Sequence, residues 1–423
     1  MQPQLSQSCK DLAQSFTTLD VQLHQTQALW RFEPFHQSLS PVLPWLDSHP
    51  ELCECLSALT DDDILDLKED TPRLIQLLSP FIPQLSQLTR LCELPSNLPE
   101  ELALPQGFEV GIPGRKWQQI CAMGQAALTN NNSSEWLEWC AGKGYLGQIL
   151  AQQSQLPVIS FEWQQSLCDA GQMIAQQRHL PMSFIQGDAL SQGAKQVLKP
   201  NQHAVALHAC GDLHAHLIEM AAEVGLSALT ISPCCYHLTR SDGYKALSNL
   251  GQQALLQLTK QELKIPLQET VTGGQRVQLH RRQEMTYRLA VDSLLREGRC
   301  EKHYTRLPSI KKSQLSLGFE HFCHWANQYK PLNLLVDNDE QSNMSKWLYR
   351  AEQRFMLMER MSLVQQVFRR ALEMWLVYDK ALKLEEQGYQ VSLSTFCPRL
   401  VTPRNILIQA QRVNTESYTS SFL

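Results

Sequence analysis

The chain has 423 residues, 43% hydrophobic and 19% charged, with a formal net charge of −5. That length accommodates two or three domains and a sizeable core, and the composition excludes disordered, fibrous and collagen-like classes. No run of 18 apolar residues offers a membrane span, the start MQPQLSQSCKDLAQSF lacks the basic-then-apolar order of a secretory signal, and the 13 cysteines follow no framework spacing, so the expectation is a cytoplasmic protein with reduced thiols.

Residues 1–100 carry 5 Lys/Arg against 14 Asp/Glu and read as helices, with leucines at three- and four-residue spacing in LIQLLSPFIPQLSQLTRLCEL. LPSNLPEELALPQG then reads as a linker. From about 110 the pattern alternates. PGRKWQQICAMGQAAL is a predicted helix, WLEWC a strand, YLGQILAQQ a helix and PVISFEW a strand. SLCDAGQMIAQQRH, MSFIQGDAL, HAVALHACGDL, HAHLIEMAAEVG and LSALTISPCCYH continue as helix, strand, strand, helix and strand. The strands are short and apolar on both faces, as in a parallel sheet covered by helices, which predicts a doubly wound α/β sheet.

Residues 241–423 reverse the charge, with 25 Lys/Arg against 18 Asp/Glu, most of the excess falling in 241–312. A basic segment in an acidic chain points to a polyanionic partner, and Gln275–Arg288, QRVQLHRRQEMTYR, is the candidate for tracking phosphates. A long helical run from Met344 closes at Gly388. YQVSLSTF and RNILIQAQR then restore strand patterning across a turn with Pro398 and Pro403, and are predicted to close the same sheet.

At the end of the first strand, EWLEWCAGKGYLG places Glu138 in the strand and Gly142 and Gly144 in the turn to a helix. Such a turn lets backbone approach a ligand that the helix N–H groups face. A P-loop is excluded, because no glycine stands five residues before a Lys-Ser/Thr pair. Glu162 ends the second strand, where a carboxylate can accept two ribose hydroxyls, and Asp188 ends the third, where it can read an adenine edge. Three acidic strand ends fit S-adenosylmethionine better than a dinucleotide, with Glu138 expected against the cofactor's ammonium.

The set CAGKGYLGQILA, VALHACGDL and ISPCCYH resembles a branch of class I S-adenosylmethionine-dependent methyltransferases. That branch includes the methyltransferase half of the glutathione S-transferase C-terminal domain-containing protein. It is also similar, more distantly, to tRNA 2′-O-methyltransferases with a Cys-Gly-Lys-Gly turn and a Cys-Cys-His exit. The resemblance covers about 110–240 and implies cofactor contacts at Glu138, Cys140, Gly142, Gly144, Glu162, Asp188 and His208. It places His208, Cys210, Gly211 and Asp212 near the transferred methyl. Many such enzymes have glycine where this chain has Cys140.

Pro233–His237 admits four readings: a pocket lining with Tyr236 stacking a base and His237 as general base; a nucleophilic cysteine; a zinc site of Cys210, Cys234, Cys235 and His237; or thiols packed behind the cofactor. No metal is assigned at this level. The expected fold is α/β, a Rossmann-like class I methyltransferase sheet with an N-terminal all-helical domain and a helical insertion before the closing hairpin. The expected boundaries are 1–100 for the helical domain, 108–240 for the methyltransferase core, 241–387 for the basic insertion and 388–423 for the hairpin. The expected activity is methyl transfer to N or O of tRNA or rRNA, with Asp212, His208, His237 and Tyr236 as catalytic candidates. A protein methyltransferase is the alternative, as is a non-catalytic cofactor-binding interaction protein. No membrane partner is expected, while the acidic N-terminal helices suit a protein partner.

Overall fold

The computed structural model describes residues 11–96, 102–207, 209–268, 275–335 and 343–413. Two compact units emerge. The first comprises 1–25, 87–271 and 369–423, the second 26–86 and 272–368. Neither unit is continuous in sequence, because helices distant in the chain bury their apolar faces on one another.

The first unit is built on one seven-stranded sheet of order β3-β2-β1-β4-β5-β7-β6. Its strands are β1 Glu135–Trp139, β2 Val158–Glu162, β3 Met182–Gln186, β4 Gln202–Ala206, β5 Ala228–Ile231, β6 Tyr389–Thr395 and β7 Ile406–Arg412. β1 to β5 run parallel, and β7 joins β5 antiparallel, so the closing pair belongs to the same sheet as expected. The order reverses direction at β1, between β2 and β4, which is the switch point where ligands bind in doubly wound sheets. β4 is buried along its whole length, Gln202 and His203 included.

Helix Arg369–Glu386 crosses this unit buried on nearly all sides. Helix Leu12–Gln25 packs against it through Phe16 and Trp375, whose rings lie 5.4 Å apart. Asp20 then accepts from Trp375 Nε1 at 2.9 Å and from the Leu255 N–H at 2.7 Å. This is why the first helix belongs with the sheet rather than with the helices that follow it.

In the second unit, helix Gln275–Ser293 lies along helix Met344–Gln366. Buried Arg354 bonds Asp292 at 2.7 Å and Ser293 at 2.9 Å, so the charge is paired and its donors are occupied. Among the described residues no helix is long and apolar enough to cross a membrane.

Candidate functional site

The turn after β1 is left-handed three times: at Cys140 (φ 56°), Gly142 (φ 60°) and Gly144 (φ 71°). Gly144 is the residue before helix Tyr145–Ser154, and a Cβ there would meet the Phe184 ring at 2.5 Å. Only glycine lets the helix approach the sheet so closely at that backbone angle. Above Gly142 nothing lies within 4 Å of where a Cβ would stand, so this side of the turn is open to a ligand.

Glu162 holds the turn in place. Its carboxylate accepts the Gly142 N–H at 2.8 Å on one oxygen and the Gln164 N–H at 3.0 Å on the other. Each oxygen keeps a lone pair, enough for two ribose hydroxyls. Asp188 accepts the Leu190 N–H at 2.9 Å and stays half-exposed. The Cys140 thiol feels Glu162, Cys210 and Asp188 together. Burial pushes it up to about 12, and those neighbours add to the rise, so it remains a neutral thiol. That shared neighbourhood brings the exits of β1, β2, β3 and β4 to one mouth.

Glu138 is differently employed. It stands opposite Ser160 in the β1–β2 register, and Ser160 Oγ donates to it at 2.8 Å. Its carboxyl also accepts the N–H groups of Leu146 and Gly147 in the first turn of the helix. Burial raises it to about 7 against these hydrogen bonds. The structure thus has Glu138 cap the first turn of the helix.

The β4 and β5 exits are laced together. The Gly211 N–H donates to the Cys234 carbonyl at 3.2 Å, and the Asp212 N–H to the Leu238 carbonyl at 3.1 Å. The Arg240 N–H returns to the Asp212 carboxylate at 2.8 Å. His208 lies outside the described residues. Tyr236 does not present a stacking face: it is 3% exposed, its hydroxyl points to the Pro233 carbonyl at 3.4 Å, and its ring packs edge-on against His214. It is nonetheless among the residues that line the cavity described next. His237 is half-buried, and its Nδ1 is buried without a hydrogen-bond partner among the described residues.

Beside these exits lies a cavity of about 320 Å³. Asp212, His214, Arg240, Tyr244, Lys245 and Lys380 are among its lining residues. Lys380 was not picked out from the sequence. Its ammonium sits 5.3 Å from the Tyr236 ring centre and 4.8 Å from that of Tyr244, and donates to Tyr244 Oη at 3.0 Å. Burial lowers it to about 8, against the pull of Asp379 and Asp212. Its neighbour Asp379 accepts from Tyr244, Leu247 and Ser248. His214 is held near 3 by burial and by the charge of Lys380, so its neutral ring donates from Nδ1 to the Ala209 carbonyl at 2.6 Å. The available signal was an Asp-Lys pair inside MWLVYDKAL, a stretch otherwise apolar on every helical face.

Residues 115–242 match the family model described as a methyltransferase domain. By that match the stretch is similar to a methyltransferase domain. It contains the turn, the three acidic strand ends and the laced exits. A methyltransferase domain on this doubly wound sheet takes S-adenosylmethionine, and the residues fit that cofactor: the turn is open above Gly142, and Glu162 and Asp188 reach the same mouth. Among solved structures, the chain is similar to the Pyrococcus abyssi tRNA (uracil-54, C5)-methyltransferase in complex with S-adenosyl-L-homocysteine, at 14% identity and a TM-score of 0.24 over 28% of this chain. The chain spans only 29% of that protein's length. It is also similar to an rRNA methylase from Streptococcus thermophilus, at 15% identity and TM-score 0.22, over 28% of this chain and 70% of the other. A third is the N-terminal domain of EvdMO1 with SAH bound, at 11% identity and TM-score 0.24, over 35% and 62%. A search of curated proteins found no match.

Proposed function

We propose that the chain is an S-adenosylmethionine-dependent methyltransferase that modifies a nucleotide in RNA at a nitrogen or oxygen atom. The observation that carries this reading is the cavity at the β4 and β5 exits, in the same unit as the methyltransferase domain and lined by Asp212 and Lys380. The cofactor supplies a methyl group on a sulfonium that is already a good leaving group. The chain has only to position the acceptor and take its proton. Asp212, fixed at the start of helix Asp212–Val224 by Arg240, can orient a hydroxyl or amine. Lys380, lowered to about 8, is in part unprotonated at slightly alkaline pH and can accept the proton. Arg240 and Lys245 line the cavity as well, which suits a phosphate-bearing substrate.

Three of the four arginines of 275–288 serve otherwise. Arg281 pairs with Glu359 at 2.9 Å, Arg282 with Asp61 at 2.8 Å, and Arg288 with Glu284 at 2.7 Å. These charges are compensated within the second unit, so the RNA reading rests on the cavity. The test is transfer of an isotopically labelled methyl group to total RNA and to total protein of the same cells. Label should enter RNA and be lost with Asp212→Asn. Label in protein alone would overturn the substrate class.

A further inference from the structure

We propose that the β4 and β5 exits hold a zinc ion, ligated by Cys210, Cys234 and Cys235 and completed by His237. The three Sγ atoms all lie within 4.8 Å of one another, and Cys210 and Cys234 are 3.3 Å apart. Zinc–sulfur bonds of about 2.3 Å in a tetrahedron set sulfurs about 3.8 Å apart, so the cluster needs adjustments of only a few tenths of an ångström to an ångström.

Two further features point to a ligand. Cys234 and Cys235 are neighbours in sequence, and in extended chain their side chains would project to opposite sides. Cys235 instead adopts a left-handed backbone, φ 48°, which turns both thiols toward Cys210. That conformation is strained for a residue with a Cβ, and tight packing of thiols alone does not require it. The second feature is His237, two residues beyond Cys235: its Nδ1 is buried without a hydrogen-bond partner among the described residues, and since it lies outside the 4.8 Å grouping of the three sulfurs its ring has to turn in to complete the set. Three cysteines and one histidine form an ordinary structural zinc set. On binding, each thiol releases its proton to solvent and its sulfur donates an electron pair to the metal, with no redox change.

Such an ion would pin the two loops that carry Gly211 and Leu238 beside the cavity, whatever the methyl acceptor. The proposal does not depend on the substrate reading. The test is elemental analysis of the full chain, purified reduced and without chelator. About one zinc per chain is expected, falling below about 0.1 in Cys210→Ser and in Cys235→Ser. Cys168→Ser, which alters a buried cysteine elsewhere, should retain it. Should the serine variants not fold, the wild type is stripped with chelator and reloaded with cobalt(II), whose sulfur-to-metal absorption should appear at one equivalent. Folded, reduced protein with neither zinc nor cobalt absorption overturns the proposal. So does zinc that persists in Cys210→Ser, or a Cys210–Cys234 disulfide in the native chain.

Discussion

Lys380→Met separates stability from function at the cavity. The lysine is 1% exposed, and its fall from 10.5 to about 8 corresponds to roughly 3 kcal/mol, at about 1.4 kcal/mol per pH unit. Between about pH 8 and 10.5 the unfolded chain binds this proton and the folded chain does not, so folding stability rises with pH across that window. Below about 8 the folded state carries the whole cost of the buried charge. Methionine fills similar space without charge and gives up the hydrogen bonds to Tyr244 Oη and the Leu376 carbonyl, each worth about 1 kcal/mol. At pH 7 the variant should therefore be as stable as the wild type or more so, by up to about 2 kcal/mol. Its advantage should shrink by about 3 kcal/mol between pH 8 and 10.5. Urea denaturation at a series of pH values measures this. Methyl-transfer rate should fall by about 10²–10⁴, the range for a lost proton acceptor, with cofactor affinity unchanged. A variant that loses more than 2 kcal/mol at pH 7 and turns over at the wild-type rate would refute the reasoning and make Lys380 a structural residue.

Three other expectations accompany it. Gly211→Ala sets a Cβ 1.9 Å from the Leu238 carbonyl oxygen at φ 60° and ψ −123°, so it should cost more than about 3 kcal/mol in a thermal melt and abolish activity. His203 and His214 are both lowered to about 3 by burial, so the unfolded state takes up two more protons as pH falls from 6.5. Glu138, raised to about 7 by burial, offsets one of them down to about 4.5. The stability slope should thus steepen from about 1.4 to about 2.7 kcal/mol per pH unit below that point, and His203→Gln should remove one proton's share. Arg281→Ala leaves buried Glu359 to Lys68 alone, and should lower stability by about 1–3 kcal/mol while leaving RNA binding in a filter assay unchanged.

Much of the core was legible because it is local. The strand, glycine turn and helix of 135–154 follow one another within the chain, and β2 and β3 announce themselves by apolar runs ending in an acid. The closing strands were legible through their alternation, buried and exposed in turn along the start of β6. What escaped was set by partners distant in sequence. Helical periodicity shows that a helix has an apolar face, but not which helix covers it, so nothing joined Asp61 to Arg282 or Lys68 to Glu359. The same limit hid Lys380: its helix is buried all round, and a pattern reading treats a charged residue there as surface. Tyr236 shows the converse, since an aromatic residue beside a functional loop reads alike whether it faces the mouth or the core.

The most direct test of the central claim is calorimetric titration of the full chain with S-adenosylmethionine. The account predicts one site per chain, weakened by about 10- to 100-fold in Glu162→Ala, the 1.5–3 kcal/mol expected for hydrogen bonds to a charged group. The variant should stay folded by circular dichroism. Absence of binding to the wild type, or equal affinity in Glu162→Ala, would contradict it.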